Sequence, residues 1–261
     1  MPADAPVLDL RTLGAAFLRG PDGAVIQGLG AKSLGAIAYL ALAPGASAPR
    51  DALVDLLWGR GAPEQGRASL RQELRRMKRA LGPLFDAALD TPGGQIALRP
   101  GAVRCDFLEA ERACEARDTA GLAPLLDLCG GAFLAPLSVP EIAFQDWQAE
   151  RNSQFESLAG DGLLRLMLLD ESAGRLDRAA AAARALLALD PLQEDVHAAL
   201  VRLHVAAGRP ALARRQIDAC RELFLAELGE PPEIDLEALL PAARAPAPRP
   251  AGPRAASAPP D

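Results

Sequence analysis

The sequence predicts a mainly α-helical chain whose few strands lie in its N-terminal part, and three observations carry that prediction. Ala and Leu dominate the 261 residues while only seven Phe, two Trp and one Tyr are present, a balance that favours helix over strand. Helical apolar spacing recurs from about residue 32 onward. Strand-like runs broken by turn residues occur near the start and around residues 89–98. An all-β sandwich is disfavoured. The length exceeds a typical domain of about 100–150 residues, so two packed units plus an appendage are expected.

The stretch VLDLRTLGAAFLRGPDGAVIQGLGAKS reads as short strands punctuated by Gly20-Pro21-Asp22-Gly23. Lys32 to Ala43 places Leu34, Ile37, Ala38 and Leu42 at helical spacing and stops at Pro44-Gly45. Ser47-Ala48-Pro49 reads as the start of a second helix, RDALVDLLWG, with Leu53, Leu56 and Leu57 on its apolar face. Trp58, at the end of that face, is expected in the core.

The third helix, EQGRASLRQELRRMKRALG, is the most informative. With Leu70 at zero and about 100° per residue, Leu70, Leu74, Met77 and Leu81 fall within about 60° and form a narrow buried stripe. Arg67, Lys78, Arg71, Arg75 and Arg79 fall between about 60° and 180°, Gln72 near 200° and Arg76 near 240°, while Glu73 lies apart at about 300°. Like charges collected on one face weaken an isolated helix. An anionic partner would compensate; the bland alternative is a solvated surface helix rich in Arg for its helix propensity. Leu89-Asp90-Thr91 and Gln95-Ile96-Ala97-Leu98 then flank the tight turn Pro92-Gly93-Gly94. Strands, three helices and a closing hairpin describe a winged helix, in which the third helix enters the major groove and the hairpin lies along the backbone.

From Cys105 to about Leu240 only helical patterns appear. DFLEAERACEARD and AGLAPLLDLC precede a Gly/Pro-rich stretch, and a long helix runs from Phe144 to Ala173. A shift of 34 residues aligns Leu166 with Leu200, Leu169 with Leu203, Ala173 with Ala207, Gly174 with Gly208, Arg175 with Arg209 and Ala179 with Ala213. That period, with Gly-Arg at the turn and Ala at the crossing, is the tetratricopeptide signature. Pro191 is expected to begin the next helix after LALD. Trp147 and Phe155, in the long helix, are expected to pack between helices. From Pro241 the Ala/Pro/Arg/Gly-rich end cannot bury enough surface to order itself. The expected units are thus a winged helix over 7–104, a tetratricopeptide-like bundle over 105–240 and a disordered tail over 241–261.

Net charge is −6 overall but unevenly placed: +4 over 1–104, −12 over 105–240 and +2 over the last 21 residues. A positive first third on an acidic remainder is the asymmetry expected when one unit meets a polyanion and the other does not. Cys105, Cys114, Cys129 and Cys220 form no CxxC and have no His pair nearby, so reduced thiols are expected and no metal. His197 and His204 share a helix face and read as ordinary helix residues. No Walker loop, GxGxxG, GxSxG or HExxH string occurs, so neither an enzyme nor a cofactor is expected. No run of about 18 apolar residues and no signal peptide is visible, and the chain reads as cytoplasmic.

The strings GAKSLGAIAYLALAPGASAPRDALVDLLWG, PEQGRASLRQELRRMKRALG and TPGGQIAL resemble, in order and spacing, the OmpR-type winged helix of the AfsR/SARP family of bacterial transcriptional regulators. GGAFLAPLSVPEIAFQDWQAERNSQFESLA and DPLQEDVHAALVRLHVAAGRPALARRQIDACRELFLAELGEPP resemble that family's bacterial transcriptional activation domain. The likeness runs from residue 8 to 237. It departs at the hairpin tip, which has neither the usual basic residues nor a Tyr, at Ala48-Pro49 where Val-Ser is usual, and at Arg215-Gln216-Ile217 where an aromatic is common. The resemblance implies a sequence-specific regulator, an activator by family, that binds double-stranded DNA and contacts RNA polymerase or a second copy through its helical half. The expected DNA contacts are Arg67, Arg71, Gln72, Arg75, Arg76 and Arg79. The alternative is a tetratricopeptide adaptor whose degenerate winged helix binds no DNA; a weaker one is an enzyme using acidic side chains of the helical half.

Overall fold

In the computed structural model, which describes residues 8–240, Leu8 and Leu10 point into the core while Asp9 and Arg11 point out, the alternation that makes Leu8–Arg11 a strand, β1. Phe17–Arg19 (β2) pairs with it antiparallel. The proposed tail and Val7 lie outside the described residues. The Gly20-Pro21-Asp22-Gly23 turn forms, but it joins β2 to an isolated bridge at Val25; the β1–β2 reversal passes through Gly14, at φ 90°.

Ala31–Leu42 (α1) ends before a 3-10 turn at Pro44–Ala46, where Gly45 takes φ 67° and turns the chain. Ser47–Pro49, expected to start a helix, is instead strand β3, with Ala48 opposite Ile96. Pro49 has no N–H to donate and is tolerated because β3 lies at the edge of its sheet; it passes the chain directly into Arg50–Trp58 (α2) without a side-chain cap. Pro63–Leu81 (α3) and Pro83–Ala88 (α4) follow. Leu89–Asp90 (β4) and Gln95–Leu98 (β5) form the expected hairpin, and β3 completes a sheet in the order β3-β5-β4.

The chain then returns to the first sheet. Val103–Cys105 (β6) lies parallel to β1, with Leu10 beside Cys105, giving the order β2-β1-β6. Asp106–Cys114 (α5) starts at the next residue. The boundary expected between 104 and 105 therefore falls inside a strand. That strand has three residues and no periodic signature of its own; it exists because β1 offers it an edge.

AGLAPLLDLC, expected as one helix, forms two single turns, Thr119–Leu122 (α6) and Leu125–Leu128 (α7), with Pro124 between them. Ile142–Ser172 (α8), Leu176–Leu189 (α9), Glu194–Ala206 (α10) and Pro210–Glu227 (α11) make two helical hairpins in the expected 34-residue register. Gly174 and Gly208 take φ 72° and 71° at the two turns, and the N–H groups of Arg175 and Arg209 reach back to the carbonyls of Asp170 and His204, again 34 apart. Ala179 and Ala213 are both fully buried at the crossings. Pro191 does not begin α10; it sits in a turn closed by the Leu192 N–H on the Asp190 carboxylate, 3.1 Å, and the helix starts three residues later.

One apolar core runs through both halves. Gly35 on α1 leaves the space that the Phe144 ring of α8 fills: a Cβ there would lie 2.7 Å from Cε2. Trp147 makes edge contacts with Tyr39 and Phe133, at 5.3 and 5.5 Å between ring centroids, and Phe107 joins Phe133 to Phe155. Trp147 and Phe155 thus pack between elements, as expected. At the rim, Lys32 of α1 donates to the Leu57 carbonyl, pairs with Glu141 at 3.2 Å and lies over the half-buried Trp58 ring. A second, smaller cluster joins α10 and α11 to Leu236.

Candidate nucleic-acid interface

α3 is built to stay helical at both ends and to bury little in between. Pro63 opens it, Glu64 lies in the first turn, Lys78 and Arg79 lie in the last, and Gly82 at φ 56° closes it with its N–H on the Lys78 carbonyl. Its buried side is the predicted stripe: Leu70, Met77 and Leu81 are covered, Leu74 is half-buried, and Gly66 extends the stripe at the N-terminal end. Val54 of α2 comes so close that a Cβ on Gly66 would lie 2.5 Å from its Cγ1.

All six residues expected to contact DNA are exposed. Arg71, Gln72, Arg75 and Arg79 line one open depression of ≈ 760 Å³ together with Ala68 and Lys78. The other two stand at its margins and are engaged within the fold. Arg67 donates its Nε–H to Asp51 of α2 at 2.9 Å, which holds that carboxyl below the usual carboxylate range. Arg76 donates its Nε–H to the Gly28 carbonyl at 3.1 Å. Lys78, which pairs with Asp86 at 2.9 Å, is a lining residue beyond the six; its place on the basic arc was its signal. Glu73, half-buried on the opposite flank, accepts a hydrogen bond from the buried Ser33 hydroxyl of α1. The hairpin tip, Thr91 to Gln95, is exposed and uncharged, and the nearby Arg99 is committed to the Asp86 carbonyl and to Asp90.

All four cysteines are free, and burial pushes their thiols up, Cys105 to about 11 and Cys129 to about 12. Among the described residues no group of three His, Cys, Asp or Glu could hold a metal ion, and no helix is long and apolar enough to cross a membrane. His197 is buried and doubly bonded: Gln216 Nε2 lies 2.6 Å from its Nδ1 and the Pro191 carbonyl 2.9 Å from its Nε2. Gln216 thus has a structural use at the position where the family pattern has an aromatic nearby. Burial pushes His204 below its ordinary value, with Arg184 and Arg209 adding to the effect and Asp177 opposing it.

The model of the bacterial transcriptional activator domain family matches residues 103–243. No curated protein matches the chain. Among solved structures, Mycobacterium tuberculosis EmbR, in complex with a low-affinity phosphopeptide, has the same fold, with a TM-score of 0.57 at 21% identity over 89% of this chain. The chain spans 64% of the length of that structure.

Proposed function

Because the chain belongs to the bacterial transcriptional activator domain family of SARP-type regulators, we propose that it binds double-stranded DNA sequence-specifically, with α3 in the major groove and the helical repeats as its protein-contact half, facing RNA polymerase or a second copy. The observation that carries this reading is the shared depression: Arg71, Gln72, Arg75 and Arg79 leave one exposed side of a helix whose opposite side is tied to the fold. Arginine forks suit guanine edges and phosphates, and glutamine suits adenine. Arg67 and Arg76 flank these four and reach phosphates by exchanging an internal partner for an external one. The net charge of +4 over residues 1–104 favours approach to a polyanion, and the −12 of 105–240 keeps the helical half off it.

With about five phosphate contacts, log K against log salt has an expected slope near −4 to −5. Arg71→Ala with Arg75→Ala abolishes the mobility shift of a selected duplex while the circular dichroism spectrum is kept. The adaptor reading draws on the uncharged hairpin tip, and predicts no shift by the native chain and no effect of the pair of substitutions. A salt-independent affinity refutes the electrostatic part.

A further inference from the structure

The apolar stripe that seats α3 is narrow, and a narrow stripe constrains rotation about the helix axis weakly. A turn of about 20° displaces a group about 6 Å from the axis by about 2 Å, more than a hydrogen bond to a base edge tolerates. Axial position is set near the N-terminal end by the close crossing of Gly66 on Val54. Rotation needs contacts off the stripe. The described contacts supply four: Arg67 with Asp51 and Lys78 with Asp86 are exposed ion pairs, Arg76 reaches the exposed Gly28 carbonyl, and Glu73 alone bonds to a buried side chain, the Ser33 hydroxyl.

We infer that Ser33 and Glu73 are positioning residues that set the rotational angle of α3 and thereby decide which base edges Arg71, Gln72, Arg75 and Arg79 meet. Ser33 is fully buried on α1, and its hydroxyl donates to the Glu73 carboxylate, so the bond joins α3 to the helix that also carries the Gly35 contact with the helical half. A charge-assisted hydrogen bond to a buried hydroxyl is directional, which an apolar contact is not. Glu73 is also the one acidic side chain between Glu64 and Asp86. On the outer arc of this helix it would stand among the arginines and oppose an anionic ligand.

This inference rests on the DNA-binding reading, and two measurements separate the failure of one from the failure of the other. The first compares affinity for a 30-base-pair duplex, selected by the native chain from a randomised pool, with affinity for poly(dI-dC) at the same salt. Ser33→Ala and Glu73→Ala are expected to lower that ratio about tenfold, whereas Glu73→Gln, which removes the same charge but still accepts from Ser33, stays within about twofold of native. The salt slope of Ser33→Ala remains native because no phosphate contact is lost. The second measurement is hydrogen exchange over Leu70–Leu81 without DNA: faster in Ser33→Ala and Glu73→Ala, native in Glu73→Gln. Unchanged exchange and an unchanged ratio in Ser33→Ala overturn the inference, as does equal loss in Glu73→Ala and Glu73→Gln. If the native chain selects no duplex, the DNA-binding reading and the selectivity role fail together, while altered exchange in Ser33→Ala and Glu73→Ala would still identify the latch.

Discussion

Asp106 adds a buried carboxylate to the backbone bonds that tie the end of the first strand to the helical half, such as Leu134 N–H on the Thr12 carbonyl and Gly14 N–H on the Ala132 carbonyl. Its carboxylate is buried and accepts from the Thr12 N–H at 2.8 Å, the Thr12 hydroxyl at 2.6 Å, the Leu13 N–H at 3.1 Å and the Phe107 N–H at 2.9 Å. Nothing in the sequence around Asp106 announces this, because two of the partners lie 93 and 94 residues away and only the fold brings them together. The arginine row is the opposite case: it was legible because helix periodicity is local, and the exposure of all six predicted residues needs nothing from the rest of the chain. Asp106→Ala strands these donors in the core and is expected to cost at least about 3 kcal/mol in urea unfolding. His204 carries a pH signature. Its folded value lies below 6.5, so the unfolded chain takes up more protons as pH falls through about 6.5, and stability is lost on the acid side. The drop in unfolding free energy between pH 7.5 and pH 5 is expected to be smaller in His204→Leu.

Among the elements, the long helices, the opening strands and the β4–β5 hairpin were readable, whereas β3, β6 and the division of α6 from α7 were not. The four helices of the repeats follow from the 34-residue register, since each turn repeats the same glycine conformation and the same backbone bond. β3 and β6, three residues each, form because a partner edge is available, and neither has enough length for alternation to show. The start of α10 was misplaced because Pro191 serves a turn as well as it serves a helix. The α1–α8 contact leads to a double-variant prediction. Gly35→Ala gains about 1 kcal/mol of helix propensity but drives a methyl into the Phe144 ring, a cost of about 1–3 kcal/mol, so net destabilisation of about 1 kcal/mol is expected. Phe144→Leu alone is destabilising, and added to Gly35→Ala it costs less than the two singles summed, a non-additivity that chemical denaturation reads directly.

At the scale of the whole molecule, the charge map divides the chain into a basic and an acidic part, whereas the larger of the two apolar clusters among the described residues spans both, passing from the first sheet through Phe107, Phe133 and Trp147 to α1. Charge asymmetry is a property of the surface; it carries no information on what lies beneath. Trp58 reports on the winged-helix half and Trp147 on the junction. Fluorescence of Trp58→Phe and Trp147→Phe variants is therefore expected to follow the same thermal transition as the helical circular dichroism signal, and two separated midpoints would show independent units.

The absence of any spacer between β6 and α5 bears on anyone wishing to transplant the basic helix onto another effector. A cut after Arg104 would split β6 and remove the carboxylate that holds Thr12, uncovering Tyr39 and Gly35 where Trp147 and Phe144 had packed. A portable module would have to carry the sequence as far as Phe155, so that the borrowed basic helix arrives with part of its own chassis.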